Sequence, residues 1–304
     1  MKFSDTSPLE TIGNTPLVRI PLPVQAKVYG KMEYMNPGGS IKDRPARYIV
    51  ETAESKGLIR PGGTLVLPSS GNMGIALALI GALKGYKVVI TLSEKTAPQK
   101  INSLRAFNAE VVLCPSVLYQ DDPKGYVKTA ERLAKEKKGF LIDQFHNLMN
   151  QDAHYHGLGP EIWKDTAGEI THFVAAAGTG GTVSGVGRFL KSKNSKIQVH
   201  AADSMHSFFS TGGHPKPYKV EAFGLDSVTD VFDQSVVDYV WPLADPDVFQ
   251  MTRDLCQKYG HLVGFSSGAA ALAVTKLSLT PDDVVVFPLC DSGRPYLDKI
   301  FPLS

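Results

Sequence analysis

The chain has 304 residues, 43% of them hydrophobic and 20% charged, which fits a globular protein with a sizeable core and excludes a disordered or fibrous one. Thirty-two Lys and Arg against 30 Asp and Glu leave a net charge of +2, too even for a protein that grips nucleic-acid phosphates, so small-molecule partners are expected. The N-terminal MKFSDTSPLETIG lacks the apolar core of a secretory signal, and no run reaches the roughly 18 apolar residues of a membrane span, so a soluble cytoplasmic chain without membrane contact is expected.

Short β-branched runs alternate with helical patterns along the chain. Strands are expected at 27–31, 64–67, 87–91, 110–113, 140–142, 172–176, 198–201 and 284–287, several of them continuous apolar runs of the kind covered on both faces. Helices are expected near 40–55, 72–83, 97–107, 124–137, 153–164, 183–192, 246–258 and 267–276. The alternation predicts an α/β protein with mainly parallel sheets flanked by helices. Segment 48–144 reads as a smaller domain inserted in a larger one made of 1–47 and 145–304, with a ligand cleft between them. Cys114, Cys256 and Cys290 are odd in number and far apart, which predicts reduced packing residues with neither a disulfide framework nor a metal site.

Three glycine- and serine-rich loops carry the chemistry. In EYMNPGGSIKDRPARY, Ser40 followed by Asp43 fits a capping box, which predicts a helix starting at Ser40 with Lys42 in its first turn. Lys42, Arg44 and Arg47 then crowd positive charge at the end of a helix that already carries a partial positive charge. That crowding makes sense if Lys42 serves as an amine or imine, which gains from a weakened charged form, while the arginines face elsewhere. In FVAAAGTGGTVSGVGRFLK, Gly178, Thr179, Gly180, Gly181 and Thr182 lie between a strand and a helix, where backbone N–H groups converge on an anion such as phosphate. A nucleotide P-loop is missing; a dinucleotide fingerprint is half present, with Gly178, Gly180 and Asp203 placed for it but Val183 at the third glycine position. In LPSSGNMGIALAL, Ser69, Ser70, Gly71 and Asn72 would turn polar groups toward a carboxylate or ring oxygen. A lysine, a phosphate loop and a carboxylate loop together suggest pyridoxal phosphate and an amino-acid substrate.

NPGGSIKDRPA, SSGNMGIALA, GTGGTVSG, LVGFSSGAA and DSGRPYLDKIF, in this order and over almost the whole chain, resemble the cysteine synthase and cystathionine β-synthase family. The resemblance implies a fold-type II pyridoxal-phosphate enzyme, tryptophan synthase β-like and a homodimer. It implies that Lys42 carries the cofactor as an imine and removes the substrate α-proton. Asn72 would meet the ring hydroxyl, Gly178 to Thr182 the phosphate, and Ser292 the pyridine nitrogen, with Gly224 on the closing loop beside the cofactor. Ser69, Ser70, Gly71, Asn72, Met73 and Gln144 would bind the substrate. The implied reaction is β-replacement on a serine derivative or cysteine through an aminoacrylate, with cysteine synthase activity as its leading case.

Departures from the family pattern touch the substrate side. Met73 stands where cysteine synthases carry a threonine, and Ala222, Phe223 and Leu225 reshape the closing loop around Gly224. Some segments resemble cystathionine β-synthases, others the synthases that join O-phosphoserine to glutamate in a diaminopropionate-type reaction. Asp226 could act as a base toward an incoming nucleophile, including water, which would turn cysteine into serine and hydrogen sulfide; a loop-capping role is the plainer reading. Serine or threonine deamination and a non-catalytic binding homologue are further alternatives. Gly264 to Gly268 fits a hydrolase nucleophile elbow around Ser266, but the last histidine, His261, precedes that serine, against that fold's order. His154 and His156, two apart, do not share a helix face as a metal pair would.

Overall fold

The computed structural model describes residues 7–69, 71–117, 122–225, 227 and 229–302. Its elements run β1 (Leu17–Arg19), β2 (Lys27–Lys31), α1 (Asp43–Ser55), β3 (Thr64–Pro68), α2 (Asn72–Lys84), β4 (Lys87–Ser93), α3 (Pro98–Ala106), β5 (Glu110–Cys114), α4 (Tyr126–Glu136) and β6 (Phe140–Leu141). They continue with α5 (Met149–Ala153), α6 (Gly159–Asp165), β7 (His172–Ala176), α7 (Gly181–Lys193), β8 (Gln198–Ser204), β9 (Tyr239–Leu243), α8 (Asp245–Gln257), α9 (Phe265–Val274), β10 (Val284–Pro288) and α10 (Leu297–Ile300). Among the described residues no helix is long and apolar enough to cross a membrane.

The strands form two sheets. One has the order β5-β4-β3-β6 and is parallel throughout; the other has the order β1-β2-β10-β7-β8-β9 and is parallel except where β1 meets β2. Burial on both faces explains the uninterrupted apolar runs. Val174, Phe287 and Val285 face a core closed by Phe265 and Val274 of α9, whereas Phe173, Ala175 and Val286 face Val186 and Leu190 of α7. The four-stranded sheet packs Leu65, Leu67 and Ile90 against Leu77 and Ile80 of α2, a helix apolar nearly all round because it is buried on most sides. Ala46, Ile49 and Val50 of α1 join this second core.

Two strands escape sequence expectation, and both are edges of the larger sheet. β1 has only three residues, and β9 contains Pro242, tolerable where one side of the strand has no neighbour. The helix expected over 153–164 is present within a continuous helical run from α5 to α6, and a π-turn over His154–Leu158 between them brings His154 under the start of α7. The helix expected from Ser40 begins at Asp43, so Lys42 is its N-cap residue. The reason is local. Ser40 pairs with Asp291 as an isolated bridge, and Asp43 accepts from the Gly38 N–H at 2.5 Å in place of closing a capping box.

Candidate active site

The loops after β7 and β10 meet the first residues of α1, α2 and α9 at one cavity. It is lined by Ile41, Lys42, Asn72, Ala176, Gly178, Thr179, Gly180, Thr182, Ala222, Ser266, Cys290 and Asp291. These residues, drawn from positions 41 to 291, include six of those that the sequence nominates for the cofactor.

Lys42 reaches this cavity because its neighbours are anchored elsewhere. The Arg44 guanidinium makes paired contacts to Glu33 (2.6 and 2.8 Å) and to Glu161 (2.7 and 2.8 Å), while Arg47 binds Glu51 at 2.9 Å and the Leu9 carbonyl at 2.8 Å. Lys42 Nζ has no hydrogen bond or ion pair among the described residues. Desolvation by burial pulls its pKa below the ordinary lysine value, with Cys290 and Asp291 opposing. An amine so placed is readily uncharged and nucleophilic toward a carbonyl.

The β7–α7 loop has the geometry of an anion cradle. Gly180 holds φ +90, and a Cβ there would stand 2.5 Å from that of Phe232. A Cβ on Gly178 would lie 2.9 Å from the Ala222 carbonyl, and one on Gly181 would lie 2.6 Å from Asn150 Oδ1. Backbone N–H groups at the start of α7 can therefore approach a guest closely. Thr179 Oγ1 accepts from Gly181 N–H (3.3 Å) and from Asn150 Nδ2 (3.2 Å), which fixes the loop from behind. Thr182 Oγ1 lies 3.2 Å from His154 Nε2, a buried imidazole kept neutral first by burial and then by the charges of Lys42 and Arg44. His154 thus supports the loop, and His156 stacks on Tyr48; no metal-binding cluster is present among the described residues.

Opposite the cradle, Asn72 Nδ2 donates to Asp291 Oδ2 at 2.7 Å, and the Tyr296 hydroxyl donates to the same oxygen at 2.8 Å. Asp291 is 3% exposed, and burial raises its pKa against the pull of these donors. Cys290, hydrogen-bonded to Ser266, has its thiol pushed up to about 12 by burial and the Asp291 charge, so it is a neutral wall and not a nucleophile.

The site residues expected from the sequence divide into groups. Lys42, Asn72, Gly178, Thr179, Gly180 and Thr182 line the cavity, and Gly181 lies just behind it as the first residue of α7. Ser292 is not on the wall: its Oγ accepts from Arg294 N–H at 3.3 Å and its backbone bridges Val263. The serine that does line the cavity is Ser266, in the first turn of α9, and the strand of glycines and serines around it was the available signal. Gly224 stands at φ +118, its N–H donating to the Ala177 carbonyl at 2.8 Å, behind the cavity wall formed by Ala222. Ser69, Gly71 and Gln144 open on a neighbouring cavity of about 240 Å³, with Tyr126, Val127, Glu131, Asp143 and Phe145 among its walls. The Met73 side chain, 2% exposed, packs into the core of the four-stranded sheet and touches neither cavity. Ser70 and Asp226 lie outside the described residues.

These groups fit pyridoxal phosphate: an unpaired lysine amine, a glycine cradle for the phosphate, an amide for the ring oxygen and a hydroxyl for the ring nitrogen. Comparison with known proteins agrees. A family model described as pyridoxal-phosphate dependent enzyme matches residues 9–291. The chain is 42% identical over 313 residues to cystathionine beta-synthase of Saccharomyces cerevisiae, covering 96% of this chain but only 62% of that protein. It is 37% identical over 294 residues to cysteine synthase B of Pseudomonas aeruginosa, covering 95% of each. The crystal structure of an O-ureido-L-serine synthase superposes with a TM-score of 0.92 at 33% identity, over 99% of this chain and 96% of that one. The chain therefore belongs to the pyridoxal-phosphate dependent enzymes, within the group that holds the cysteine synthases and cystathionine β-synthases, and has their fold-type II architecture.

Proposed function

We propose that this enzyme catalyses β-replacement on an L-serine derivative whose β-substituent is uncharged, cysteine synthase-like, with O-acetylserine as donor, acetate as leaving group and sulfide as nucleophile. The observation that carries it is the unpaired Lys42 amine, weakened as a cation by burial, in one cavity with a glycine cradle and a neutral hydroxyl, that of Ser266. Pyridoxal phosphate supplies an electron sink for the carbanion left when the α-proton departs. Lys42 takes that proton, and Ser69 and Gln144, with the backbone N–H groups at the start of α2, hold the substrate carboxylate. A neutral partner at the ring nitrogen, here Ser266, limits how far charge is withdrawn and favours loss of the β-substituent.

The second cavity supports the choice of donor. Its described lining includes Glu131, Asp143 and His146 but neither Lys nor Arg, so a phosphate leaving group would meet two carboxylates and no permanent cation. Its volume, about 240 Å³, exceeds the needs of sulfide and favours a second reading, a thiol amino acid as nucleophile in the manner of a cystathionine β-synthase. We further take the enzyme to be a cytoplasmic homodimer in which segment 48–144 moves against the rest. The test is product analysis of the purified holoenzyme with O-acetylserine, O-phosphoserine, serine or cysteine, each with sulfide or homocysteine. Turnover of O-acetylserine with sulfide, at least tenfold above O-phosphoserine, is expected. A preference for O-phosphoserine, or release of a keto acid without any nucleophile, would overturn the proposal.

A further inference from the structure

Asn72 presents a planar amide to the cofactor cavity, and an amide has two unlike ends: an NH2 group that donates and an oxygen that accepts. Which end faces a neighbour is decided by the network around it. Here that network is the Asp291 carboxylate, an acceptor-only group, 2.7 Å from Asn72 Nδ2. Asp291 is in turn held through its backbone and through Oδ2, while its buried Oδ1 has no partner among the described residues. Ile41 N–H donates to the Cys290 carbonyl at 2.8 Å, Gly264 N–H donates to the Asp291 carbonyl at 3.1 Å, and the Tyr296 hydroxyl, beside Asn72, shares Asp291 Oδ2 at 2.8 Å. A buried carboxylate held this firmly serves no ion pair among the described residues, and it stands on the cavity wall beside Lys42.

We propose that Asp291 is a positioning residue: by accepting one N–H of Asn72 it locks the amide with its NH2 end inward, leaving the second N–H for the phenolic oxygen of the cofactor. Asn72 sits at the start of α2, on the four-stranded sheet, and Asp291 follows β10 of the six-stranded one, so the contact also ties the two sheets together at the site. Without the carboxylate the amide can rotate by half a turn, putting its oxygen against a phenolate and losing the donor. Tyr296 adds a second donor to Asp291, and its hydroxyl also makes a side contact with the Asn72 amide, beside the direct one from Asp291 at 2.7 Å.

This inference rests on the functional reading above and is separable from it. The experiment is a pH titration of the visible absorption band of the Lys42-bound cofactor in the holoenzyme and in N72A, D291A, N72A/D291A, D291N and Y296F. Loss of a donor to a charged oxygen raises the midpoint by about one to two pH units, the equivalent of one charge-assisted hydrogen bond. N72A and D291A are expected to raise it by the same amount, and the double variant no further, because both remove one interaction. D291N keeps an acceptor oxygen and is expected to recover at least half of the shift, whereas Y296F moves the midpoint by less than half of it. An unchanged midpoint in D291A and D291N alongside a shift in N72A, or additive shifts in the double variant, overturns the role of Asp291. Absence of any lysine-bound band in the unsubstituted protein would sink the functional reading instead.

Discussion

Replacing Arg44 with Met tests the anchoring that frees Lys42. Arg44 is 6% exposed and Glu33 is fully buried, so the guanidinium neutralises a carboxylate with no access to water. Once it is gone, Glu33 keeps only the Thr15 hydroxyl at 2.6 Å and the Asn36 amide at 3.0 Å, while Glu161 keeps Lys31 at 3.1 Å. Breaking a buried pair from one side costs about 3–5 kcal/mol, against at most about 1 kcal/mol for an exposed pair. Globular proteins hold only about 5–15 kcal/mol in total, so the loss would move a urea midpoint far outside error. Replacing both partners, E33M/R44M, removes the stranded charge and should restore most of the stability lost in R44M. Acidity gives an independent readout. Burial alone would raise the Glu161 pKa, but hydrogen bonds and charge from Arg44, with the Asn14 N–H and Lys31, bring it down to about 2. A carboxyl held below its unfolded value contributes stability above about pH 4.5 that is lost as pH falls toward about 2, and R44M should flatten that part of the profile. Urea unfolding at neutral and acid pH measures both. An R44M cost below about 1 kcal/mol, or a double variant as unstable as the two singles summed, would refute the reasoning.

Three further outcomes are expected. Gly181→Ala drives its Cβ to within 2.6 Å of Asn150 Oδ1, displacing the amide that holds Thr179; cofactor affinity by fluorescence titration should fall about tenfold, and an unchanged affinity would show that the cradle tolerates the shift. Ala222 sits at φ 71, a left-handed conformation that costs a residue with a Cβ about 1–2 kcal/mol, so Ala222→Gly should be neutral to stabilising in thermal melts, and marked destabilisation would contradict the strain. His200, stacked between His172 and Tyr239, is held down to about 4, first by burial and then by His172, with Lys191 adding and Asp238 opposing. Because its folded pKa lies below the unfolded 6.5, about 3 kcal/mol of stability present at neutral pH is lost as pH falls from 6.5 toward about 4. His200→Phe should shrink the drop in melting temperature over that range; an equal drop would place the acid sensitivity elsewhere.

Much of the fold was written in local pattern. Val284 to Phe287 and His172 to Ala176 are apolar on both faces because helices cover both sides of their sheet, and that condition leaves an unbroken run in the sequence. The strands that pattern did not reveal are the edges, where β1 is too short and β9 carries Pro242. The loops followed the same rule. Glycines at 178 and 180 were legible as a cradle because close backbone approach demands them, and the structure brings Asn150, Phe232 and Ala222 to within contact of positions 178 to 181. Which serine lines the cavity was not legible in this way. Ser266 follows Gly264 and Ser292 precedes Gly293, so both stand beside a glycine near a helical segment; the structure places the Ser266 hydroxyl, in the first turn of α9, by Cys290 and the cavity and leaves the Ser292 hydroxyl on a turn. Met73 was misleading for a related reason, since a position next to Asn72 on a helix points about 100° away from it, here into the core.

The three cations at the head of α1 now separate by their partners. Arg47 lies along the helix on Glu51 and reaches the Leu9 carbonyl, and Arg44 is held by two carboxylates from elsewhere in the fold, Glu33 and Glu161. Both are satisfied on the side away from the cavity. Lys42, one residue before the helix, is the member left unpaired among the described residues, at the end of a helix whose dipole disfavours its charge and in surroundings that desolvate it. The positive end of the helix is therefore not an error of charge placement. It is one of the terms that keeps a lysine amine available, and the two arginines fix the helix so that this amine, and not their own charge, faces the site.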